Sequence, residues 1–141
     1  MSSPISETIK KIITDFQGIN SWEEKYKHLI ELGKALPPMQ DTFKIDKNLV
    51  RGCMSKVWFH VEIRDGRLYF QGDSDAAIVK GIVALLLGVY SGRTPDEILS
   101  TKPTFLEDIG LREHLSMSRS NGLSSMLKQI SLYAIAFKSQ L

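Results

Sequence analysis

Ile5, Ile9, Ile12, Ile13 and Phe16 fall at i, i+4, i+7, i+8 and i+11, which stacks them on one face of a 3.6-period helix. Pro4 suits the first turn of that helix and Gly18 its end. Ser21 followed by Glu24 has the spacing of a capping box, in which hydroxyl and carboxylate satisfy backbone donors, and Trp22, Tyr26, Leu29, Ile30 and Leu36 continue an apolar face up to Pro37-Pro38. From Pro37 to Lys56 the periodicity vanishes. Structureless loops longer than ~12 to 15 residues in compact domains are usually functional or disordered, so this stretch draws attention.

Val57, Phe59, Val61 and Ile63 alternate with Trp58, His60, Glu62 and Arg64; Asp65-Gly66 supplies a tight turn, and Leu68, Tyr69 and Phe70 return. This is a β-hairpin. Gly72-Asp73-Ser74-Asp75 offers oxygens to cap a helix running to about Tyr90, apolar on most faces and therefore central, with the hairpin packed on it. Thr94-Pro95-Asp96-Glu97 repeats the capping pattern for a short helix, and Leu123, Met126, Leu127, Ile130, Ala134 and Phe137 mark a long last one, preceded by a turn at Ser118-Arg119-Ser120. Helices, then a small antiparallel sheet, then helices is an α+β order. An isolated hairpin is marginal, so a further, unplaced strand is expected. No repeat, linker or second domain interrupts residues 1–141, which read as a single domain.

Length and composition agree: 141 residues, 43% hydrophobic and 24% charged, make a chain that removes roughly 65 to 70 per cent of its surface from water on folding. Eighteen Lys and Arg against sixteen Asp and Glu leave +2, far short of the excess a nucleic-acid binder needs. The N-terminus reads as a polar lead-in rather than an apolar signal core. The most apolar stretch, 76–90, carries Lys80 and falls short of the ~20 residues that cross a bilayer. No membrane partner is expected.

One cysteine, Cys53, closes the unpatterned stretch. Alone it forms no internal disulfide and holds no structural zinc or iron–sulfur cluster, which fits a reducing, cytoplasmic setting. Lys44, Lys47, Arg51 and Lys56 against Asp46 give a local +3 that favours a thiolate, whereas burial against Val50, Met54 or Trp58 pushes the other way. Gly52 lets the backbone beside the sulfur take φ > 0 or approach another chain closely. Two readings stand side by side: a thiol that visits a partner, and a small apolar side chain filling space. A third is a thiol hydrolase pairing Cys53 with an imidazole. His28 and His60 look like surface residues, which leaves His114 as the base.

Five ordered blocks extend the picture: Trp22-Glu23-Glu24-Lys25-Tyr26; Leu32-Gly33 with Leu36-Pro37; Gly52-Cys53 with Ser55 and Val57-Trp58; 72–81, reading GDSDAAIVKG; and Ser118-Arg119-Ser120-Asn121-Gly122. From about Trp22 onward the chain resembles SufE-type sulfur acceptors, including the similar CsdE proteins. The resemblance implies a SufE/IscU-like scaffold fold with a small antiparallel sheet covered by helices. It also implies a carrier rather than a stand-alone enzyme. Cys53 would take persulfide sulfur from a pyridoxal-phosphate cysteine desulfurase of SufS or CsdA type, stimulate it, and relay the sulfur to an iron–sulfur assembly scaffold.

The pyridoxal phosphate would belong to the partner, with no cofactor on this chain. Arg51, Gly52, Met54, Ser55, Asp75 and Arg119 are the supporting or interface residues that the resemblance implies. Arg119 would hold the loop or meet an acidic group through its planar fork. Asp75 would pair with a cation or cap a helix, and Ser74 and Ser120 are read as caps. Met54 and Lys56 stand where similar proteins often carry glutamine, a departure that bears on partner choice. A further class is an adaptor that binds the desulfurase without taking sulfur.

Overall fold

Backbone chemistry at the segment ends explains where each element starts and stops. The computed structural model describes residues 4–140, so the lead-in at Met1–Ser3 lies outside the described residues. Helix α1 spans Ile5–Gln17 from Pro4 at its N-cap, buries Phe16, and sets its isoleucines against the core. Helix α2 spans Trp22–Lys34; the Ser21 hydroxyl accepts from the Glu24 N–H at 3.2 Å.

The hairpin pairs β1, Val57–Arg64, with β2, Arg67–Ser74, in antiparallel register from Val57↔Ser74 to Arg64↔Arg67. Asp65 and Gly66 take φ of 52° and 75° at the turn, the left-handed pair that a two-residue hairpin loop of matching twist requires. Val57, Phe59, Leu68 and Phe70 are buried on one face. That face lies on α3, Ala77–Tyr90, where a side chain at Gly72 would meet Val83 and Leu87.

Helix α3 also touches α1, α2 and α6, as a helix apolar on most faces must. Its contact with α2 is backbone to backbone. A Cβ on Gly33 would stand 2.9 Å from the Gly81 nitrogen, and one on Gly81 would strike the Leu29 carbonyl oxygen.

Helix α4, Pro95–Ser100, carries a complete capping box between Thr94 and Glu97 and packs on α6. Donation from the Thr94 backbone N–H lowers the Glu97 pKa from its ordinary value and outweighs burial, which pushes it up. One turn, α5, spans Phe105–Asp108. Helix α6 runs Met117–Lys138.

The architecture is α+β, a two-stranded antiparallel sheet packed against helices. Two expectations need correcting. Among the described residues no third strand forms; single bridges, Leu49 to Trp58 and Leu68 to Arg93, cover the two hairpin edges instead. Nor is 37–56 structureless. It makes 3-10 turns at Asp41–Phe43 and Asp46–Asn48, the second held by the Asn48 amide donating to the Phe43 carbonyl at 2.8 Å. Phe43 stacks on His60 at 3.8 Å, and Lys44 bonds Asp73 at 2.9 Å, so this stretch covers the polar face of the hairpin.

Candidate functional site

The long loop is tied down at both sides of its cysteine. On one side the Val50 N–H donates to the Val57 carbonyl at 2.8 Å. On the other, the Lys56 N–H donates to the Asp75 carboxylate at 3.0 Å, and the Lys56 carbonyl accepts from the Ser74 hydroxyl at 2.8 Å. Only the tip from Arg51 to Ser55 is left between these tethers. Gly52 takes φ of 93° there, and a side chain at that position would collide with the Ser125 hydroxyl on α6. Both facts demand glycine.

The tip lays Cys53 against the start of α6. Its sulfur is half-buried and donates to the Gly122 carbonyl at 3.5 Å, a long bond from a weak donor. It sits at a cavity of about 340 Å³ lined by Met54, Ser55, Val79, Ser118, Arg119 and Met126. Burial pushes the Cys53 thiol above its ordinary value of 9.0, and no cation offsets this. Burial therefore opposes the thiolate that the local charge favours. Lys44 is drawn away to Asp73 and Asp41, and Lys47 and Arg51 line a separate groove on the other side of Gly52.

Met54, Ser55 and Arg119 are thus brought together with Cys53, Met54 85% exposed at the rim and Arg119 exposed in the first turn of α6. Asp75 is not in the cavity wall; among the described residues its carboxylate neither pairs with a cation nor caps α3 but anchors the end of the tip. Ser74 is not the cap of α3, whose N-cap is Ala76 with no side-chain cap bond; the Ser74 hydroxyl accepts from the Ala76 N–H at 3.3 Å and donates to the Lys56 carbonyl, which ties the lead into α3 to the end of the tip. Ser120 is not a cap. Helix α6 begins earlier, and the Ser116 hydroxyl accepts from the Arg119 N–H at 3.3 Å, which turns 118–120 from a preceding turn into the first turn of the helix.

Val79, Gly122 and Met126 also line the cavity. The periodicity puts Val79 and Met126 on core-facing helix positions, and Gly122 enters only as the end of the fifth matching block; the pattern holds no signal that all three meet at one cavity.

The imidazole partner fails on position. His114 stacks on Trp22 at 3.9 Å, bonds the Gly110 carbonyl at 3.0 Å, and gives its own carbonyl to the Tyr26 hydroxyl. His60 stacks on Phe43, and His28 meets Phe16 edge-on. Among the described residues no histidine lines the Cys53 cavity.

A family model described as SufE, Fe-S metabolism associated domain, matches residues 10–134. The chain belongs to the SufE family. An uncharacterized SufE-like protein of Synechocystis is 39% identical over 137 residues, covering 97% of this chain and 86% of the relative. One from Rhizobium meliloti is 43% identical over 130 residues, 87% of this chain and 91% of that one. The SufE fold is matched in a solution structure of a hypothetical protein from Thermus thermophilus, with TM-score 0.78, 21% identity and 99% of both chains covered. Among the described residues of this SufE-family chain, no helix is long and apolar enough to cross a membrane.

Proposed function

We propose that the chain is a sulfur carrier: Cys53 accepts the terminal sulfur of a persulfide held by a pyridoxal-phosphate cysteine desulfurase and passes it to a scaffold that assembles iron–sulfur clusters. One observation carries this reading. The chain's single thiol sits on a short tip between fixed tethers, held inward by one weak bond beside an open cavity. Family membership supports the iron–sulfur context.

The chemistry is a thiol exchange. The Cys53 thiolate attacks the terminal sulfur of the donor persulfide. A new S–S bond forms on Cys53 as the donor's S–S bond breaks, and the donor leaves as a thiolate that takes up the proton Cys53 released. The sulfur keeps its oxidation state, so no oxidant or reductant is needed. Burial disfavours the reactive thiolate at rest; swinging outward into the donor's site would remove that penalty. Arg119 lines the same cavity, and its guanidinium would steady a departing thiolate or an acidic partner group.

The pyridoxal phosphate is the donor's, and we assign no cofactor to this chain. A lone thiolate also suits a carrier better than a cluster scaffold, which takes several ligands. A reducing compartment such as the cytoplasm keeps that thiol available.

The test is a single turnover. A desulfurase loaded with radiolabelled sulfur is mixed with the chain, and label should move onto it and be lost on reduction. Cys53→Ser should acquire none. An adaptor that takes no sulfur would instead leave Cys53→Ala fully able to stimulate the desulfurase.

A further inference from the structure

On α6, Arg119, Gly122 and Met126 line the cysteine cavity, and Ser125, Lys128, Leu132 and Tyr133 line a second groove, of about 350 Å³, with Lys47 and Arg51 on its other wall. The seam between the two is the contact of Gly52 with Ser125. Among the described residues no carboxylate lines the groove. Several cations elsewhere do pair with a carboxylate: Lys27 with Glu24, Lys34 with Glu31, Arg112 with Glu107, Lys138 with Asp96. Among the described residues Lys47, Arg51 and Lys128 have no such partner. In a chain whose net charge is only +2, this is a local concentration of unopposed charge.

We infer that this groove docks an extended acidic segment of the sulfur donor, carboxylates on Lys47, Arg51 and Lys128, beside the point where Cys53 emerges. The inference takes the donor's identity from the sulfur-carrier reading. Charge decides the sign of the occupant: three cations in a concave site focus a positive field and steer acidic groups to it. The lining decides its class. Leu132 is 46% exposed and Tyr133 lies beside it, an apolar floor that suits a peptide's side chains, and +2 is too little to favour a polyanion. Size agrees: from Ser125 to Lys128 to Leu132 the helix rises roughly 10 Å, the length of about three extended residues.

The experiment measures association and dissociation of the full chain with a cysteine desulfurase across a series of salt concentrations. Wild type is compared with Lys47→Glu/Arg51→Glu/Lys128→Glu, and with Lys10→Glu/Lys11→Glu/Lys102→Glu, which carries the same charge change on exposed residues elsewhere. The groove variant should associate about tenfold or more slowly at low salt, with a flattened salt dependence, and the control should keep most of the wild-type rate and slope. Equal loss in both variants, or no loss in either while wild type binds, overturns the groove and leaves the carrier reading intact. Wild type that ignores every desulfurase yet binds RNA through these cations overturns both.

Discussion

Gly122 presents its bare Cα to Cys53: a Cβ built there would stand 3.4 Å from the sulfur, and the same residue's carbonyl accepts the thiol's hydrogen bond at 3.5 Å. The resting place of the sulfur is therefore shaped by a missing side chain on a helix. Gly122→Val fills that place and should drive the tip outward. Iodoacetamide should then modify Cys53 several-fold faster than in wild type, with the fold retained, because glycine in a helix interior already costs up to about 1 kcal/mol. An unchanged alkylation rate would mean that Gly122 does not seat the thiol.

Burial raises the Cys53 thiol, so ionisation should begin at higher pH in the native chain than in the same chain unfolded in urea. The sign for stability follows. The native state binds its proton more tightly, so this contribution is fully present below the ordinary value of 9.0 and is lost as pH rises through the native one. Alkylation rate against pH, native and unfolded, measures the difference, and adding the desulfurase should move the native curve toward the unfolded one. A native curve lying at or below the unfolded curve contradicts the buried rest state.

Asp73 clamps the cysteine loop to the hairpin, with Lys44 at 2.9 Å and Lys80 at 3.3 Å on its carboxylate. Burial alone would raise its pKa; bonds from Lys44, the Ser74 N–H and Lys80 outweigh that, and the net shift is downward. The clamp's stabilisation is present above the ordinary 3.8 and fades as pH falls through the lower native value. Asp73→Asn should cost about 1–3 kcal/mol near neutrality and speed hydrogen exchange at the turns of 41–48. Equal urea midpoints for the two proteins near neutral pH would remove the clamp.

Gly33 and Gly81 let α2 and α3 meet backbone to backbone. Gly81→Ala would press a methyl onto the Leu29 carbonyl and should destabilise the chain by about 3 kcal/mol, as overpacking against an unyielding main chain does. Urea unfolding reads this as a lowered midpoint. A shift toward greater stability, as alanine gives in an uncrowded helix, would show that the helices can part.

Legibility followed periodicity. The faces of α1, α2 and α3, the alternation of β1 and the Asp65-Gly66 turn are local patterns, and each appears where the spacing puts it. Helix α6 begins six residues before Leu123 because Ser118, Ser120, Asn121 and Gly122 are poor helix formers that read as a turn, while packing against the tip and the Ser116 cap hold them helical. The turns within 37–56 rest on tertiary contacts such as Phe43 on His60, which no local window contains. At the site, Cys53 is legible as the chain's one thiol, whereas Arg119 enters only through the family resemblance. Arg51 and Cys53 line different cavities on either side of Gly52, whose close approach to Ser125, far along the chain, no local window contains.

Weighing the intact chain after incubation with a cysteine desulfurase and free cysteine tests the sulfur-carrier account most directly. It predicts a gain of one sulfur atom, mapped to the peptide bearing Cys53, removed by reductant and absent from Cys53→Ser. A chain that stimulates the desulfurase yet never gains that mass, or a gain that persists in Cys53→Ser, would contradict it.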